Sequence, residues 1–441
     1  MEEKKVILTK QQEEAKDLIV KWFNYETSKD NQIFTLAGYA GTGKSFLISH
    51  IVLDVLGLKE DSVAYITPTG KAASVLVKRG IKNASTIHRL IYIAEDSDEL
   101  DAKGKPKPKF TKKKEIPPYK LIVLDEVSMV SDYIMKDLLS FDIPVLCCGD
   151  PGQLPPIMSK QHDLLQHPNY TLTDIVRQAE DNPIIQVATL ARTSNYIQDG
   201  RYGDDVIVIH RDRLKDEDFN KLLLKADQVI CGKNDTRIKI NNYMRKLLNH
   251  TSDTPEDGEK IICCMNNYDI PLDKNGEYPL VNGLIGEIKD YNDVNDKESL
   301  CTFKFKPDFL PDFTETIIGD SGGFKENDFV YDRHQKVYEL DNGQITKQRS
   351  LFTKIKKENE EEYKKYKKEV AIEMNNRKRM VNSMQIGQFF YGYCISVHKS
   401  QGSEWDKIVI LDESKTFSSC KDKWLYTAIT RAKKKLVIIR L

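Results

Sequence analysis

Residues 38–45 read Gly-Tyr-Ala-Gly-Thr-Gly-Lys-Ser, and this string restricts the fold more than any other stretch of the chain. A G-x-x-x-x-G-K-S sequence belongs between a strand and a helix. Its glycines let successive backbone N–H groups curl round phosphates, its lysine sets a point charge at the β- and γ-phosphates, and its serine hydroxyl reaches Mg²⁺. Gly38, Ala40, Gly41, Thr42, Gly43, Lys44 and Ser45 are therefore the expected ATP-binding residues, with Ser45 also on the metal. The required context is legible on both sides. Residues 32–37 form an apolar run suited to a strand, and residues 45–56 place Phe46, Ile48, Ile51, Val52 and Val55 at helical spacing, which predicts one face against a sheet. A glycine-rich turn with no ligand is the bland alternative, and it would not require the adjacent Lys-Ser.

Short apolar runs at 62–67, 121–125 and 144–149 alternate with helical patterns, as in βαβ units around a parallel sheet. One of them, Leu-Ile-Val-Leu, ends at Asp125-Glu126. A carboxylate at a neighbouring strand end can hold Mg²⁺, and a second acid beside it can take a proton from an attacking water. Asp125 is accordingly assigned to the metal and Glu126 as general base. The next strand delivers Gly149-Asp150-Pro151-Gly152-Gln153-Leu154-Pro155-Pro156. It sets the neutral amide of Gln153 on a proline-fixed loop, suited to a γ-phosphate or the water attacking it. Each of these strings alone also fits an ordinary strand end or turn; in series behind the phosphate loop they read as one nucleotide site.

Two stretches interrupt the α/β pattern. Residues 95–101 hold five acids in seven positions, and residues 103–114 hold seven lysines and no acid. Interleaved prolines and Gly104 exclude a regular helix there, so an exposed insertion of about 25 residues, a β-hairpin, is expected. The second interruption runs from 259 to 386. Its first part reads as short strands separated by turns, as in a small barrel, and its last part, 352–380, carries an apolar stripe at Phe352, Ile355, Tyr363, Tyr366, Val370 and Met374, which predicts a charged helix on the barrel surface. The α/β pattern resumes around it at 228–231, 393–397, 407–411 and 435–440, so a second α/β domain is split by an inserted one.

The length of 441 residues allows roughly three domains at about 150 residues each. A 30% charged content and a mean hydropathy of −0.51 point to a globular chain. No run approaches the roughly 20 apolar residues of a membrane span, and the first residues lack a signal-peptide core, so a cytoplasmic protein with no membrane partner is expected. The eight cysteines include no C-x-x-C pair, which argues against a zinc or iron–sulfur site. Formal net charge is +0, so any attraction to nucleic acid has to be local.

The strings TKQQ, GYAGTGKS, ITPTGKAA, ASTIHRL, LIVLDEVSM, GDPGQLPPI, LTDIVRQ, YCISVHKSQGSEWD and LYTAITRAKKKL follow one another over nearly the whole chain. In content and order they resemble the superfamily 1 helicases, specifically the RecD-like branch that includes phage helicases of the Dda type. The resemblance implies an α/β fold of two RecA-like P-loop domains, the first with a small β-hairpin insertion and the second with an SH3-like barrel plus charged helix. The implied boundaries are 1–88 and 118–175 for the first domain, 89–117 for its insertion, 176–258 and 387–441 for the second, and 259–386 for the barrel insertion.

The same resemblance assigns individual residues. Gln12 would read the adenine, although Thr9-Lys10-Gln11-Gln12 equally fits a helix capping box. Arg177 and Arg431 would reach the γ-phosphate from the second domain, and Gly402 and Glu404 would line the same cleft. Thr67, Pro68, Thr69, Thr86 and His88 on the first domain, and Ser396, His398 and Lys399 on the second, would touch the DNA backbone; structural caps and hydrogen-bonded core histidines are the ordinary alternatives. Phe110 would act as a wedge among the lysines of the insertion. The implied activity is an ATP- and Mg²⁺-dependent DNA helicase moving 5′→3′ on single-stranded DNA and opening forked duplexes in replication, recombination or repair. A monomer is expected, with a single-strand-binding protein or replisome components as protein partners and a host cytoplasm if phage-encoded. An RNA helicase on the same scaffold stays open, because phosphate contacts do not read the 2′-OH.

Overall fold

Strands that carry apolar residues at every position need cover on both faces, and parallel sheets flanked by helices provide it. Such strands occur twice here. A computed structural model describes residues 7–78, 80–81, 83–95, 109–155, 163–176, 181–193, 196–273, 278–295, 300–321, 324, 387–417 and 420–441. In its first half β1 (Ile33–Gly38), β2 (Val63–Thr67) and β3 (Ser85–Thr86) are followed by β4 (Tyr92–Glu95) and β5 (Lys109–Lys112), which among the described residues pair with each other as a two-stranded sheet. Then come β6 (Leu121–Leu124), β7 (Val145–Gly149) and β8 (Tyr170–Leu172). The first sheet has the order β3-β2-β6-β7-β1-β8 with every pair parallel. Both β1 and β7 bury nearly every residue, and the phosphate-loop string and the Gly149-Asp150 string leave from neighbouring strand ends.

The second half continues with β9 (Gly200–Tyr202), β10 (Val206–His210) and β11 (Gln228–Cys231). Next are β12 (Lys260–Cys263), β13 (Asn267–Pro271), β14 (Pro279–Leu280), β15 (Ile285–Asn295), β16 (Leu300–Pro307), β17 (Ile317–Asp320) and β18 (Gly387–Tyr391). The chain closes with β19 (Cys394–Ser396), β20 (Trp405–Asp412) and β21 (Ala432–Arg440). The second sheet runs β19-β11-β20-β21-β10-β9, parallel except for the antiparallel edge strand β9. Between its halves β12, β15, β16, β17 and β18 close into a barrel. Its interior is aromatic, with Phe389 edge-on to Phe303 and Phe305 at 5.0 Å between centroids.

Both six-stranded sheets lie in one compact unit, Met1–Tyr92 with Lys112–Asn249 and Tyr393–Leu441; the barrel lies in a second, Ile93–Thr111 with His250–Gly392. The charged helix expected at 352–380 falls outside the described residues. So does the side chain of Phe110, whose backbone belongs to β5. No helix among the described residues is long and apolar enough to cross a membrane.

The helix after the phosphate loop departs from its expected face. It is α-helical only over Lys44–Ser49 and continues as π-helix over His50–Val55. The buried stripe is Leu47, Ile48, Ile51 and Val52, one face of the helix that leaves Phe46 on the opposite side, and the wider π turn carries Val55 off that face. Phe46 is 54% exposed and Val55 40%, so neither reaches the core.

Candidate active site

The phosphate loop leaves β1 at Gly38 and enters its helix through Gly43, whose left-handed backbone (φ 76°) is the one a non-glycine residue adopts only under strain. Inside the loop the carbonyl of Tyr39 accepts from the Thr42 hydroxyl at 2.8 Å and from Lys44 Nζ at 2.9 Å. The Gly41 carbonyl accepts from Val176 N–H at 3.0 Å, which ties the loop to the segment leading to Arg177. Gln12 lies beneath the loop and is buried. Its Oε1 accepts from Thr9 N–H at 3.0 Å, the Thr9 hydroxyl accepts from Gln12 N–H at 3.2 Å, and its Nε2 donates to the Thr42 carbonyl at 3.1 Å. The structure thus forms the capping box of the helix Lys10–Lys21 and uses the same amide to brace the phosphate loop.

Two carboxylates follow β6. Glu126 holds a left-handed conformation (φ 56°), uncommon for a residue with a side chain, and its N–H donates to Asp125 Oδ1 at 2.8 Å. Burial and the neighbouring Asp125 push the Glu126 carboxyl up to about 7, with Asp150 adding to the rise and Arg431 and Lys44 opposing it. A carboxyl poised there can both hold and accept a proton near neutral pH. After β7, Asp150 Oδ1 accepts from Gly152 N–H at 2.9 Å, and the loop turns Gln153 inward. Gln153 is buried, and among the described residues its Oε1 accepts no hydrogen bond. An orphaned buried amide oxygen costs free energy unless a ligand or water completes it.

The opposite wall comes from the second sheet. Arg431, two residues beyond the helix Lys421–Ile429, is buried. Its Nε donates to the Thr427 carbonyl at 3.0 Å and its Nη2 to the Thr430 hydroxyl at 3.0 Å. Gly402 meets the first sheet's helix Gly70–Lys78 so closely that a Cβ there would stand 2.9 Å from Ala72 Cβ. Ala40, Gly41, Gly43, Lys44, Ser45, Asp125, Glu126, Gln153, Gly402, Glu404 and Arg431 all line one cavity of about 460 Å³. Four cations and anions from both sheets, Lys44, Arg431, Asp125 and Glu126, therefore converge on one volume.

Other expected residues stand elsewhere. Gly38, Thr42 and Gln12 support the loop from outside the cavity lining. Arg177 lies outside the described residues. Thr67 is fully buried and donates its hydroxyl to the Thr69 carbonyl at 2.8 Å, while the Thr69 hydroxyl caps the next helix through Ala72 N–H at 3.2 Å. Pro68 between them is half-buried. The Thr86 hydroxyl caps the helix Ile87–Ile91 through Arg89 N–H, and the Ser396 hydroxyl caps Val397–Ser400 through Lys399 N–H. His88 and His398 are half-buried, and burial lowers the pKa of each, which keeps both neutral near pH 7. Thr67 and Thr86 are thus turned inward as local braces, whereas Pro68, Thr69, His88, His398 and Lys399 retain partial exposure.

Sequence reasoning assigned no role to Tyr426, Asp150, Tyr39 or Arg192. The Tyr426 hydroxyl accepts from Ala40 N–H at 2.8 Å and donates to Asp150 Oδ2 at 2.6 Å. The Arg192 guanidinium lies 3.7 Å above the Tyr39 ring, which lines the cavity. Tyr39, Asp150 and Tyr426 sit within quoted motif strings, so the signal was present; what was missing was the partner of each.

Residues 20–210 match the family model described as an AAA domain, and residues 391–439 match that of the UvrD-like helicase C-terminal domain. The chain is 36% identical over 166 residues to the ATP-dependent RecD2 DNA helicase of Deinococcus radiodurans, covering 36% of this chain and 21% of that protein. It is 30% identical over 180 residues to the ATP-dependent DNA helicase dda of Enterobacteria phage T4, covering 37% of this chain and 39% of that protein. The alignments thus span well under half the length of either relative. The structure of Bacteroides Pif1 bound to ssDNA shares the fold, with a TM-score of 0.50 and 16% identity over 98% of this chain and 92% of that one.

Proposed function

We propose that this chain, which matches an AAA domain model and a UvrD-like helicase C-terminal model and is similar over part of its length to RecD2 and dda helicases, is a superfamily 1 ATP-dependent DNA helicase that moves 5′→3′ along single-stranded DNA and opens duplex DNA ahead of it. The observation that carries the reading is the single cavity in which the phosphate loop, the Asp125-Glu126 pair and Gln153 of the first sheet face Arg431 of the second. ATP suits this cavity because Lys44 and Arg431 supply positive charge for its phosphates, while Gln153 Oε1, which accepts no hydrogen bond among the described residues, has room to accept from the attacking water. The Ser45 hydroxyl and the Asp125 carboxylate line the same volume, and a hard-oxygen pair of this kind would hold Mg²⁺, which neutralises phosphate charge when bound.

In this reading Lys44 and the loop amides bind and orient the phosphates, Glu126 takes the proton of the attacking water, and Gln153 orients that water. Arg431 stabilises the charge that develops, and since it comes from the other sheet, hydrolysis depends on how the two sheets close. Repeated closing and opening, with partly exposed residues at the strand ends of both sheets gripping phosphates in turn, gives stepwise movement. The closed barrel, in this reading of SH3-like type, guides the strand that leaves.

The test is ATPase activity with single-stranded DNA or RNA, followed by unwinding of forked duplexes that carry only a 5′ or only a 3′ tail. Stimulation by DNA and unwinding from the 5′ tail alone are expected. An ATPase indifferent to nucleic acid would sink the reading, stimulation by RNA alone would move the substrate to RNA, and unwinding from a 3′ tail would reverse the direction. Lys44→Ala should abolish turnover with the fold intact.

A further inference from the structure

Tyr426 is one of the largest fully buried side chains of the molecule, and its hydroxyl joins three segments far apart in sequence. It accepts from Ala40 N–H at 2.8 Å on the phosphate loop and donates to Asp150 Oδ2 at 2.6 Å on the loop that carries Gln153. Tyr426 itself belongs to the helix Lys421–Ile429 that leads into Arg431. A phenol has one proton to donate and lone pairs to accept, so this one is committed on both sides. Asp150 is equally committed, because its other oxygen accepts from Gly152 N–H at 2.9 Å.

The next residue extends the connection. The Thr427 hydroxyl accepts from Leu154 N–H at 2.9 Å, beside Gln153, and the Thr427 carbonyl accepts from Arg431 Nε at 3.0 Å. Two consecutive residues thus hold the phosphate loop, the Gln153 loop and the arginine side chain in one frame. Burial and the nearby Asp150 carboxylate push the Tyr426 phenol far above its ordinary pKa, so it remains a neutral donor wherever the protein is folded.

We propose that Tyr426 is a positioning residue for hydrolysis: its hydroxyl latches the phosphate loop to the Asp150 loop, so that Gln153 and Arg431 address the same phosphate only when loop and helix are in register. The ring has a separate, packing role, since a Cβ on Gly152 would stand 2.8 Å from it. Tyr426→Phe keeps that ring and removes the latch alone. The inference rests on the ATP-driven reading given above, yet the two fail separately, because the latch is judged on ATP turnover with or without nucleic acid.

The experiment measures ATPase kinetics of the full chain and its Tyr426→Phe variant with and without single-stranded DNA, together with amide exchange at Ala40. The expected result is a fall in kcat of about 10- to 100-fold, the scale of a lost hydrogen bond to a charged group. KM for ATP should stay close to wild type, and the Ala40 amide should exchange faster. Unchanged kcat overturns the latch, and so does a loss shared equally between kcat and KM, the pattern of a merely structural role. Asp150→Asn weakens the same bond without touching the ring and should give a smaller, equally kcat-selective loss; an unaltered kcat there also overturns the proposal. Wild-type ATPase that ignores DNA would sink the helicase reading while the unstimulated rates still decide the latch.

Discussion

Each sheet has a strand that turns through glycine into a helix, and the two turns differ in length and in how they meet an anion. On the first sheet, β1 runs through Gly43 into the helix Lys44–Ser49, and its loop faces a cavity lined by Lys44 and Arg431. On the second sheet, β11 runs through Gly232 and Lys233 into the helix Asn234–Leu247. There the buried Glu413 closes the turn from within: its Oε2 accepts from Gly232 N–H and Lys233 N–H at 2.8 Å each, and its Oε1 accepts from the Thr236 hydroxyl at 2.6 Å. Helix N-termini attract anions because their first N–H groups have no partner within the helix. One turn keeps that capacity for a phosphate, and the other has used it up on a carboxylate of its own. On the proposed reading, the difference lets two similar sheets yield one nucleotide site and one wall facing it.

The sharpest way to break this contrast is Arg431→Ala. If the open turn depends on a cation brought across the cleft, kcat for ATP should fall by about 10³-fold or more, the scale of an arginine supplied to a phosphoryl transfer. Steady-state ATPase with saturating DNA checks this, and a loss below tenfold would remove Arg431 from the reaction. Next in size is Glu126→Gln, expected to lower kcat by about 10²–10⁴-fold, the usual contribution of a general base. Its wild-type counterpart predicts a pH profile. The Glu126 carboxyl is raised to about 7, and only its ionised form accepts a proton, so kcat should fall as pH drops through that value and level off above it. A flat profile between pH 6 and about 8 would contradict the role of a base with this pKa.

What the sequence made legible follows from how locally each feature is specified. Gly43, Lys44, Asp125, Glu126 and Gln153 sit at strand ends, and a strand followed by a tight loop fixes its first residues with little help from the rest of the chain. Tyr426 could not be found that way, because its partner Asp150 lies 276 positions away. Phe46 precedes the π winding and lies across the helix from Ile48 and Ile51 at about 100° per residue, so the apolar positions read there never shared one face, whereas Val55 leaves the core because the π winding after Ser49 carries it round. Thr67 and Thr86 show a different limit. A hydroxyl at a strand end suits a phosphate and a helix cap equally well, and here both are spent on the protein itself.

The closed turn should respond in stability and leave the chemistry untouched. Glu413→Ala strips the acceptor from two part-buried N–H groups and a hydroxyl, which should cost about 1.5–3 kcal/mol, as for other hydrogen bonds to a charged group. Thermal unfolding and amide exchange at Gly232 and Lys233 measure it, while kcat below the unfolding range should match wild type. A large loss of kcat without a loss of stability would mean that the second turn also handles a reacting group, and the contrast between the two would dissolve.

The smallest effect tests two lysines at the starts of these helices, Lys44 as the first helical residue and Lys233 as the N-cap. Lys44 directs its ammonium into the loop, 2.9 Å from the Tyr39 carbonyl, and lines the cavity. Lys233 reaches Glu413 Oε1 at 3.7 Å, but its side chain is 50% exposed and the carboxylate already accepts from two backbone N–H groups and a hydroxyl. Water screens such a pair, so Lys233→Ala should shift stability by no more than about 0.5 kcal/mol. Its ATPase rate should stay that of wild type, whereas Lys44→Ala should lose turnover altogether. Two lysines at helix starts would then differ by their whole functional effect, as expected if only the anion partner of Lys44 is a ligand that comes and goes. Equal behaviour of the two variants in the same assay would show that the carboxylate at Glu413 does not substitute for a bound phosphate, and the contrast between the two turns would fail.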